Sequence, residues 1–222
     1  MIYWVGRACI RFLLRLLARW EVIGLEHVPP HGPYIIITNH LSYLDPPVVM
    51  ALMPSRVTVL VADKYRRHPF GLLIRLVDPI WIRRGEPDRQ ALRDCMRLLE
   101  GGGVLGLAPE GTRSKTGGLQ QGKTGAAFVA VKTNALIVPA VVSGTERALS
   151  DLARFRRPHI RCAIGEPFRL EMPAGHGEHR LDTLTEEMML RMAAVLPPEY
   201  RGVYAGRPGA PAAAPQTANT RL

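Results

Sequence analysis

Short apolar runs rich in β-branched residues alternate along this chain with stretches of helical length and helical periodicity. Residues 34–38 (YIIIT) are typical of a buried strand, whereas residues 88–100 place Leu92, Met96 and Leu99 on one side of a helix. Strands that alternate with helices predict an α/β fold, a mixed sheet with helices on its faces. The predicted strands are 34–38, 56–62, 80–83, 104–108, 136–142 and 160–164, and the predicted helices are 48–52, 69–77, 88–100, 123–132 and 183–195. The last helix is predicted from a capping box of Thr183 and Glu186.

The composition fits one globular domain with an anionic partner. A chain of 222 residues with 47% hydrophobic and 22% charged residues excludes collagen-like, coiled-coil and low-complexity classes. The net charge is +10, and 25 of the 29 basic residues are arginine, which suits phosphate recognition. Phosphate groups, nucleic acid and an acidic lipid leaflet all fit this excess, so charge alone does not choose among them.

The cysteines and histidines indicate neither a disulfide framework nor a metal. Cys9, Cys95 and Cys162 are widely spaced and form no C-x-x-C pair, which favours a reducing compartment. His176 and His179 lie in a glycine-rich stretch without a third ligand nearby, so an exposed loop is favoured over a metal site. We therefore expect no metal and no cofactor.

The first twenty residues predict an amphipathic helix at a membrane interface. They contain no acid, and Arg7, Arg11, Arg15 and Arg19 recur every four positions among apolar residues. Repeated arginines are costly in a spanning helix, but an arginine stripe suits lipid phosphates while tryptophan and leucine enter the acyl region. The alternative is an ordinary helix that packs on the protein's own core.

These observations divide the chain into three parts. Residues 1–20 are the predicted interfacial anchor, and residues 21–205 carry the alternating strands and helices. Residues 206–222 are rich in alanine, proline and glycine, cannot build a core, and are predicted to be a disordered tail.

The first candidate for chemistry follows the strand 34–38 directly, in the segment NHLSYLD. In α/β sheets catalytic groups tend to lie just past the carboxyl ends of strands. His40 suits a general base near neutral pH, and a carboxylate such as Asp45 would fix its tautomer. On a regular helix the two would be about 140° apart, so they can meet only across a turn. The alternative is that Asp45 caps the following helix and His40 is a packed polar residue.

The second candidate is PEGTRS, residues 109–114, which follows the strand 104–108. A small turn with Arg113, a hydroxyl and backbone N–H groups is suited to hold a phosphate. Arg83 and Arg84 end the preceding strand and would add positive charge at the same edge. The alternative is an ordinary polar turn with a solvated basic surface.

A third signal, residues 117–124 (GGLQQGKT), matches the P-loop pattern G-x-x-x-x-G-K-[ST]. The residues before it are polar instead of an apolar strand, and the strand 136–142 does not end in a Walker-B aspartate. Nucleotide hydrolysis is therefore disfavoured, although the helix that begins near Lys123 can still aim Lys123 and backbone donors at a phosphate.

Taken together, the motifs resemble the glycerolipid acyltransferase family of the lysophosphatidic acid type. NHLSYLD is similar to its N-H-x-S-x-x-D block and PEGTRS to its third block. IWIRR at 80–84 and IVPA at 137–140 resemble the second and fourth blocks, and the resemblance covers about residues 22–147. Four blocks in order, each beside a predicted strand, are specific. Asp78 and Trp81 depart from the glycine and phenylalanine of the second block, which leaves the acceptor open.

The resemblance implies transfer of a fatty acyl group from acyl-CoA or acyl carrier protein to the free hydroxyl of lysophosphatidic acid, giving phosphatidic acid. His40 would be the base and Asp45 its orienting partner, without an acyl-enzyme intermediate. Backbone donors near the third block would stabilise the developing oxyanion. The residues implied in phosphate binding are Arg84, Glu110, Gly111, Thr112, Arg113 and Lys123, and those implied in supporting the motifs are Asn39, Ser42 and Pro139.

Two other functions stay open at this point. The same chemistry on another lyso-lipid or glycolipid acceptor fits the altered second block. A non-enzymatic basic protein that binds membrane or nucleic acid would explain the charge, but it leaves His40 and Asp45 unexplained. The favoured prediction is a monotopic enzyme at the cytoplasmic face of the inner membrane, bound to an anionic leaflet and without a nucleic-acid partner.

Overall fold

The computed structural model of the chain describes residues 2–67, 71–75, 77–83, 85, 88–172 and 180–207. Within these residues, seven strands form one sheet flanked by helices. The strands are β1 (Arg19–Ile23), β2 (Tyr34–Ile37), β3 (Val57–Ala62), β4 (Ile80–Ile82), β5 (Val104–Leu107), β6 (Leu136–Ser143) and β7 (His159–Ile164). The helices are α1 (Ile2–Leu17), α2 (Asp45–Leu52), α3 (Gly71–Arg75), α4 (Arg89–Glu100), α5 (Thr124–Thr133), α6 (Thr145–Ala153) and α7 (Arg180–Val195).

The sheet is mixed, with the strand order β1-β7-β6-β2-β5-β3-β4. The five strands from β6 to β4 are parallel to one another. β7 is antiparallel to β6, and β1 runs parallel to β7. The carboxyl ends of β2, β5 and β6 therefore meet at one edge of the sheet, where α/β folds place their sites. This architecture confirms the predicted mixed α/β sheet.

The two faces of the sheet carry separate hydrophobic cores. On β2, Ile35 and Ile37 pack with residues of α4, α5 and α7, whereas Tyr34 and Ile36 pack with residues of α1, α2 and α6. All four side chains are buried. A strand buried on both faces is apolar at every position, which explains the unbroken run YIII.

The observed elements differ from the predicted ones at three places. The first helix ends at Leu17, so Arg19 lies in strand β1 and the predicted helix over residues 1–20 was too long. Helix α6 was not predicted. Helix α7 already includes Arg180, so Thr183 lies inside it and the predicted capping box is wrong. The predicted helix residues 69, 70 and 76, the histidines His176 and His179, and residues 208–222 of the predicted tail lie outside the described residues.

Helix α1 has one side on the protein and another in solvent. The Tyr3 hydroxyl accepts a hydrogen bond from the Val57 N–H at 3.0 Å, and Arg7 Nε donates to the Ala51 carbonyl at 3.3 Å. In the described part of the chain, no helix is long and apolar enough to cross a membrane. The large apolar side chains that α1 leaves exposed are Ile2, Trp4, Val5, Phe12, Leu13, Leu16 and Leu17.

Candidate active site

The loops that follow β2, β5 and β6 come together at the carboxyl edge of the sheet. The Ser114 N–H donates to the His40 carbonyl at 2.7 Å, which joins the loop after β5 to the loop after β2. The Asn39 side chain donates to the Val142 carbonyl and accepts from the Val142 N–H, both at 2.8 Å. This paired side-chain contact ties the segment just past the end of β2 to β6 and fixes the backbone just before His40.

His40 and Asp45 meet across the turn between β2 and α2. His40 Nδ1 lies 3.0 Å from Asp45 Oδ2, and the His40 side chain is 18% exposed whereas that of Asp45 is fully buried. Pro46 and Pro47, in the first positions of α2, suit a sharp helix start. The Asp45 carboxylate points back into the turn instead of capping the helix, so the capping alternative does not hold.

Asp45 is held by four donors. Its Oδ2 accepts from His40 Nδ1 and from the backbone N–H groups of Leu41 and Ser42, at 3.0, 2.6 and 2.7 Å. Its Oδ1 accepts from the Thr145 hydroxyl. Because Asp45 Oδ2 already accepts from two backbone N–H groups, the hydrogen of this contact is assigned to Nδ1, which leaves Nε2 of His40 as a hydrogen-bond acceptor. Within the described residues, Nε2 has no hydrogen-bond partner.

Thr145 is a residue of the candidate site that the sequence did not reveal. It is the first residue of α6, separated from β6 by Gly144 alone, and is only 1% exposed. Its contact with Asp45 spans 100 residues of sequence. The only available signal in the sequence was a hydroxyl residue that follows the fourth block, where the carboxyl end of a strand is expected.

We expect Thr145→Val to lower kcat about tenfold and to reduce the free energy of unfolding by about 1–3 kcal/mol, because a buried carboxylate oxygen loses its donor. Valine keeps the shape of threonine, so packing is little changed. Steady-state kinetics and chemical denaturation check this, with Thr145→Ser as the control that keeps the hydroxyl. If the valine variant matched the wild type in kcat, Thr145 would not position Asp45.

Glu110 is placed differently from the prediction that it binds phosphate. It is 2% exposed, and its Oε1 accepts from the His40 N–H at 3.0 Å. Its Oε2 accepts from the backbone N–H of Gln120 at 2.9 Å and from the Gln120 side chain. A buried carboxylate with these donors ties the backbone of His40 to the loop after β5, and this placement does not support the prediction that Glu110 binds a phosphate.

The burial of Glu110 predicts a pH-dependent contribution to stability. Burial raises the pKa of Glu110, and the hydrogen bonds from Gln120 and His40 oppose this only in part. The folded state therefore binds the proton more tightly than the unfolded state, so this contribution falls as pH rises from the ordinary glutamate pKa through the folded pKa. Chemical denaturation gives the unfolding free energies of the wild type and of Glu110→Gln. The difference between them, wild type minus variant, should fall as pH rises over that window. A difference independent of pH would contradict the raised pKa.

The turn after β5 carries the other predicted residues. Gly111 has φ +68°, a left-handed conformation that favours glycine, and a Cβ there would lie 3.0–3.1 Å from the Lys123 side chain. Lys123 is exposed beside this turn. The Arg113 guanidinium stacks on Tyr43 at 3.7 Å and donates to its hydroxyl at 2.9 Å. Among the described residues, the N–H groups of Thr112 and Arg113 have no acceptor.

The segment 117–124 is not a phosphate-binding loop. The N–H groups of Leu119 and Gly122 donate to the Tyr200 carbonyl and the Tyr204 hydroxyl. The N–H of Lys123 donates to the Pro109 carbonyl, and that of Gln120 is held by Glu110, as described above. Backbone donors that already have internal acceptors cannot bind a phosphate, so the P-loop interpretation is wrong, and the N–H of Lys123 itself is not available to a phosphate.

The other predicted residues lie in different places, and only some of them are near His40. Ser42 Oγ accepts from the Leu44 N–H at 3.2 Å, and Pro139 pairs with Ile37 inside the sheet. Arg84 lies outside the described residues. Arg83 follows β4, three strands from β2, and its Nε lies 3.7 Å from Asp88 Oδ2. With strands about 4.8 Å apart, this is about 14 Å from the end of β2.

The described residues contain no group of three or more His, Cys, Asp or Glu side chains arranged to hold a metal ion. Among them Cys9 is exposed, and Cys95 and Cys162 are buried. None of the three is in a disulfide.

Fold and site together define an α/β protein with a buried carboxylate and histidine pair beside an arginine-bearing turn. Residues 19–143 match the family described as Acyltransferase, which is more than half of the chain. The chain therefore belongs to the acyltransferase family.

Individual relatives of the chain carry acyltransferase names. The chain is 33% identical over 178 residues to the chloroplastic 1-acyl-sn-glycerol-3-phosphate acyltransferase of Arabidopsis thaliana, covering 78% of this chain and 48% of that protein. It is 31% identical over 150 residues to the alpha enzyme of that name from Mus musculus, covering 66% and 53%. The chain thus spans about half the length of these relatives. The crystal structure of the 1-acyl-sn-glycerophosphate acyltransferase of Thermotoga maritima has the same fold, with a TM-score of 0.62, 24% identity, and coverage of 84% and 74%.

Proposed function

We propose that this chain transfers a fatty acyl group from a thioester to the free hydroxyl of lysophosphatidic acid, giving phosphatidic acid. The observation that carries the proposal is the His40–Asp45 pair, 3.0 Å apart, with Nε2 of the ring left for a substrate. The relatives from Arabidopsis thaliana and Mus musculus carry the name of this activity and support it.

In the proposed reaction, His40 Nε2 takes the proton of the acceptor hydroxyl as its oxygen attacks the thioester carbonyl. The new C–O bond forms, the C–S bond breaks, and the imidazolium returns the proton to the departing thiolate. Asp45 holds the ring and stabilises its positive charge. The reaction needs no covalent intermediate, and no metal or cofactor enters it besides the acyl donor.

The phosphate of the acceptor is proposed to bind at the turn after β5. Arg113 and Lys123 supply positive charge there, and the glycine turn at Gly111 exposes the backbone. The N–H groups of Thr112 and Arg113, which lack acceptors within the described residues, are suited to the phosphate or to the developing oxyanion.

The choice of acceptor rests partly on the second block, where Asp78 stands in place of glycine. Asp78 has φ +52°, and its side chain is exposed with one oxygen 3.6 Å from Arg56. Aspartate tolerates the left-handed conformation, so the chain keeps the backbone that glycine would adopt. The departure at Asp78 therefore gives no structural reason to prefer another lyso-lipid over lysophosphatidic acid.

The membrane position of the enzyme is proposed from α1. Its exposed apolar side chains and Arg7, Arg11 and Arg15 suit an anionic leaflet, where the lysophospholipid resides. Helix α1 contacts α2 at Ala51, about 9 Å along the helix from Asp45, so an interfacial α1 keeps α2 and the candidate site close to that leaflet. We place the enzyme at the cytoplasmic face of the inner membrane, where acyl-CoA or acyl carrier protein would deliver the acyl group.

The acceptor is tested by comparing lysophosphatidic acid with monoacylglycerol, which lacks the phosphate, in mixed micelles with labelled acyl-CoA or acyl-carrier protein. We expect phosphatidic acid from the first acceptor and little product from the second. Arg113→Gln should raise KM for lysophosphatidic acid about tenfold, the loss of one charge-assisted contact. Equal rates on the two acceptors would contradict the proposed phosphate site.

A further inference from the structure

The loop between α6 and β7 displays a phenylalanine in an unusual position. Phe155 is 100% exposed and has φ +54°. Its N–H donates to the Leu152 carbonyl at 3.0 Å, and the Arg156 N–H donates to the Asp151 carbonyl at 2.9 Å. These two bonds form a Schellman motif at the end of α6, with Phe155 at the position that glycine usually occupies.

Phenylalanine is unfavourable there in the isolated protein. A left-handed backbone costs a residue with a Cβ free energy, and a fully exposed ring gains nothing from burial. The backbone bonds of the motif hold the loop in place whatever the side chain. Glycine at this position would therefore stabilise the fold at least as well as Phe155 does. A contact of the ring with an apolar phase outside the protein would account for its presence.

The surroundings of Phe155 are basic and adjoin α1. Arg154, Arg156 and Arg157 are all exposed, and the sequence from 152 to 165 contains no acid. Arg157 donates to the carbonyl oxygens of Arg15 and Ala18, at 2.9 and 2.8 Å. The loop is thus fixed to the carboxyl end of α1, and the Cα of Phe155 is at most about 7 Å from that of Arg157.

We propose that residues 154–157 form a second membrane contact, in which Phe155 enters the acyl region of an anionic leaflet while the flanking arginines bind lipid phosphates. The pattern of an aromatic side chain between arginines suits that boundary. The proposal rests on the interfacial role of α1 proposed above and extends it. A second contact, fixed beside the carboxyl end of α1 by Arg157, restricts rotation of the protein about the α1 axis.

Site-specific labels separate the two contacts. The native Cys9 is exposed on α1, whereas Cys95 and Cys162 are buried, so an environment-sensitive thiol dye labels Cys9 alone in the wild type. In Cys9→Ser/Phe155→Cys the same dye reports the loop. Both proteins are mixed with vesicles of equal parts phosphatidylglycerol and phosphatidylcholine, and we expect a blue shift of dye emission in both.

The outcomes distinguish this proposal from the membrane role of α1. A blue shift at Cys9 without one at position 155 overturns the second contact and leaves the α1 anchor in place. The absence of a shift at both positions overturns both. In unlabelled protein, Phe155→Ala should lower the vesicle partition coefficient about tenfold. The double variant Arg154→Gln/Arg156→Gln should lower it about 30-fold on these vesicles and hardly at all on phosphatidylcholine alone.

A matched control comes from α6 itself. Leu149 is 69% exposed but lies in the middle of the helix instead of between arginines. Leu149→Ala should leave the partition coefficient within about twofold of the wild type, since the proposed contact depends on the loop. An equal loss in Leu149→Ala and Phe155→Ala would assign binding to exposed apolar area in general and overturn the proposal.

Discussion

Replacing His40 by alanine is expected to abolish acyl transfer, with a fall in kcat on the order of 10²–10⁴-fold or more, because the acceptor hydroxyl loses its base. The fold should survive the change. The side chain is partly exposed, and Asp45 Oδ2 keeps its two backbone donors from Leu41 and Ser42. Steady-state transfer rates and a thermal unfolding curve on the same preparation check both parts.

The chain offers a matched control for this variant. His159 Nε2 lies 3.2 Å from Glu21 Oε2, which is a second pair of histidine and carboxylate, but its side chain is 63% exposed. We expect His159→Ala to keep its transfer rate within about twofold of the wild type, since exposed pairs contribute little. Normal transfer by His40→Ala would remove His40 as the base, and equal loss in both variants would indicate a general effect of removing a histidine.

Replacing Asp45 by alanine is expected to damage both stability and activity. Alanine leaves four donors without their acceptor, the His40 ring, two backbone N–H groups and the Thr145 hydroxyl. Loss of a buried acceptor of this kind should cost about 3 kcal/mol and lower the melting temperature by about 6–12 °C. Transfer should fall about 10³-fold, because the ring is no longer oriented and its charge is no longer stabilised.

Asparagine at the same position separates the two effects. Its carbonyl oxygen can accept from Leu41 and Ser42, while its amide can donate to Thr145, so most of the stability should return. The amide carries no negative charge, so the activity should stay low. Thermal unfolding and transfer assays on Asp45→Ala and Asp45→Asn check this. If asparagine restored the transfer rate, a charged partner for His40 would not be required.

Much of this arrangement could be predicted from local sequence. The run YIII is apolar at every position because β2 is buried on both faces, and the turn after it carries His40 five residues before Asp45. Strand β1 was missed because Arg19 continues the four-residue spacing of the arginines in α1, so the pattern gave no sign of where the helix ends. Helical periodicity shows which side of a helix is apolar, but it does not show at which residue the helix ends.

The roles of Thr145 and Glu110 could not be predicted, because both depend on contacts between distant segments. Thr145 lies 100 residues from Asp45 in sequence, and Glu110 lies 70 residues from His40. A glutamate beside an arginine in a polar turn suggests an exposed surface, but the parallel register of β2 and β5 buries it behind His40. Only the sheet topology brings these residues together.

The central claim is that His40 and Asp45 transfer the acyl group directly to lysophosphatidic acid. The most direct test incubates the protein with an acyl thioester labelled in its acyl chain, with and without lysophosphatidic acid, and follows the label in lipid and in protein. We expect labelled phosphatidic acid when the acceptor is present, no label on the protein in either case, and no product with His40→Ala. Label bound covalently to the protein, or no labelled phosphatidic acid from the wild type, would contradict the central claim.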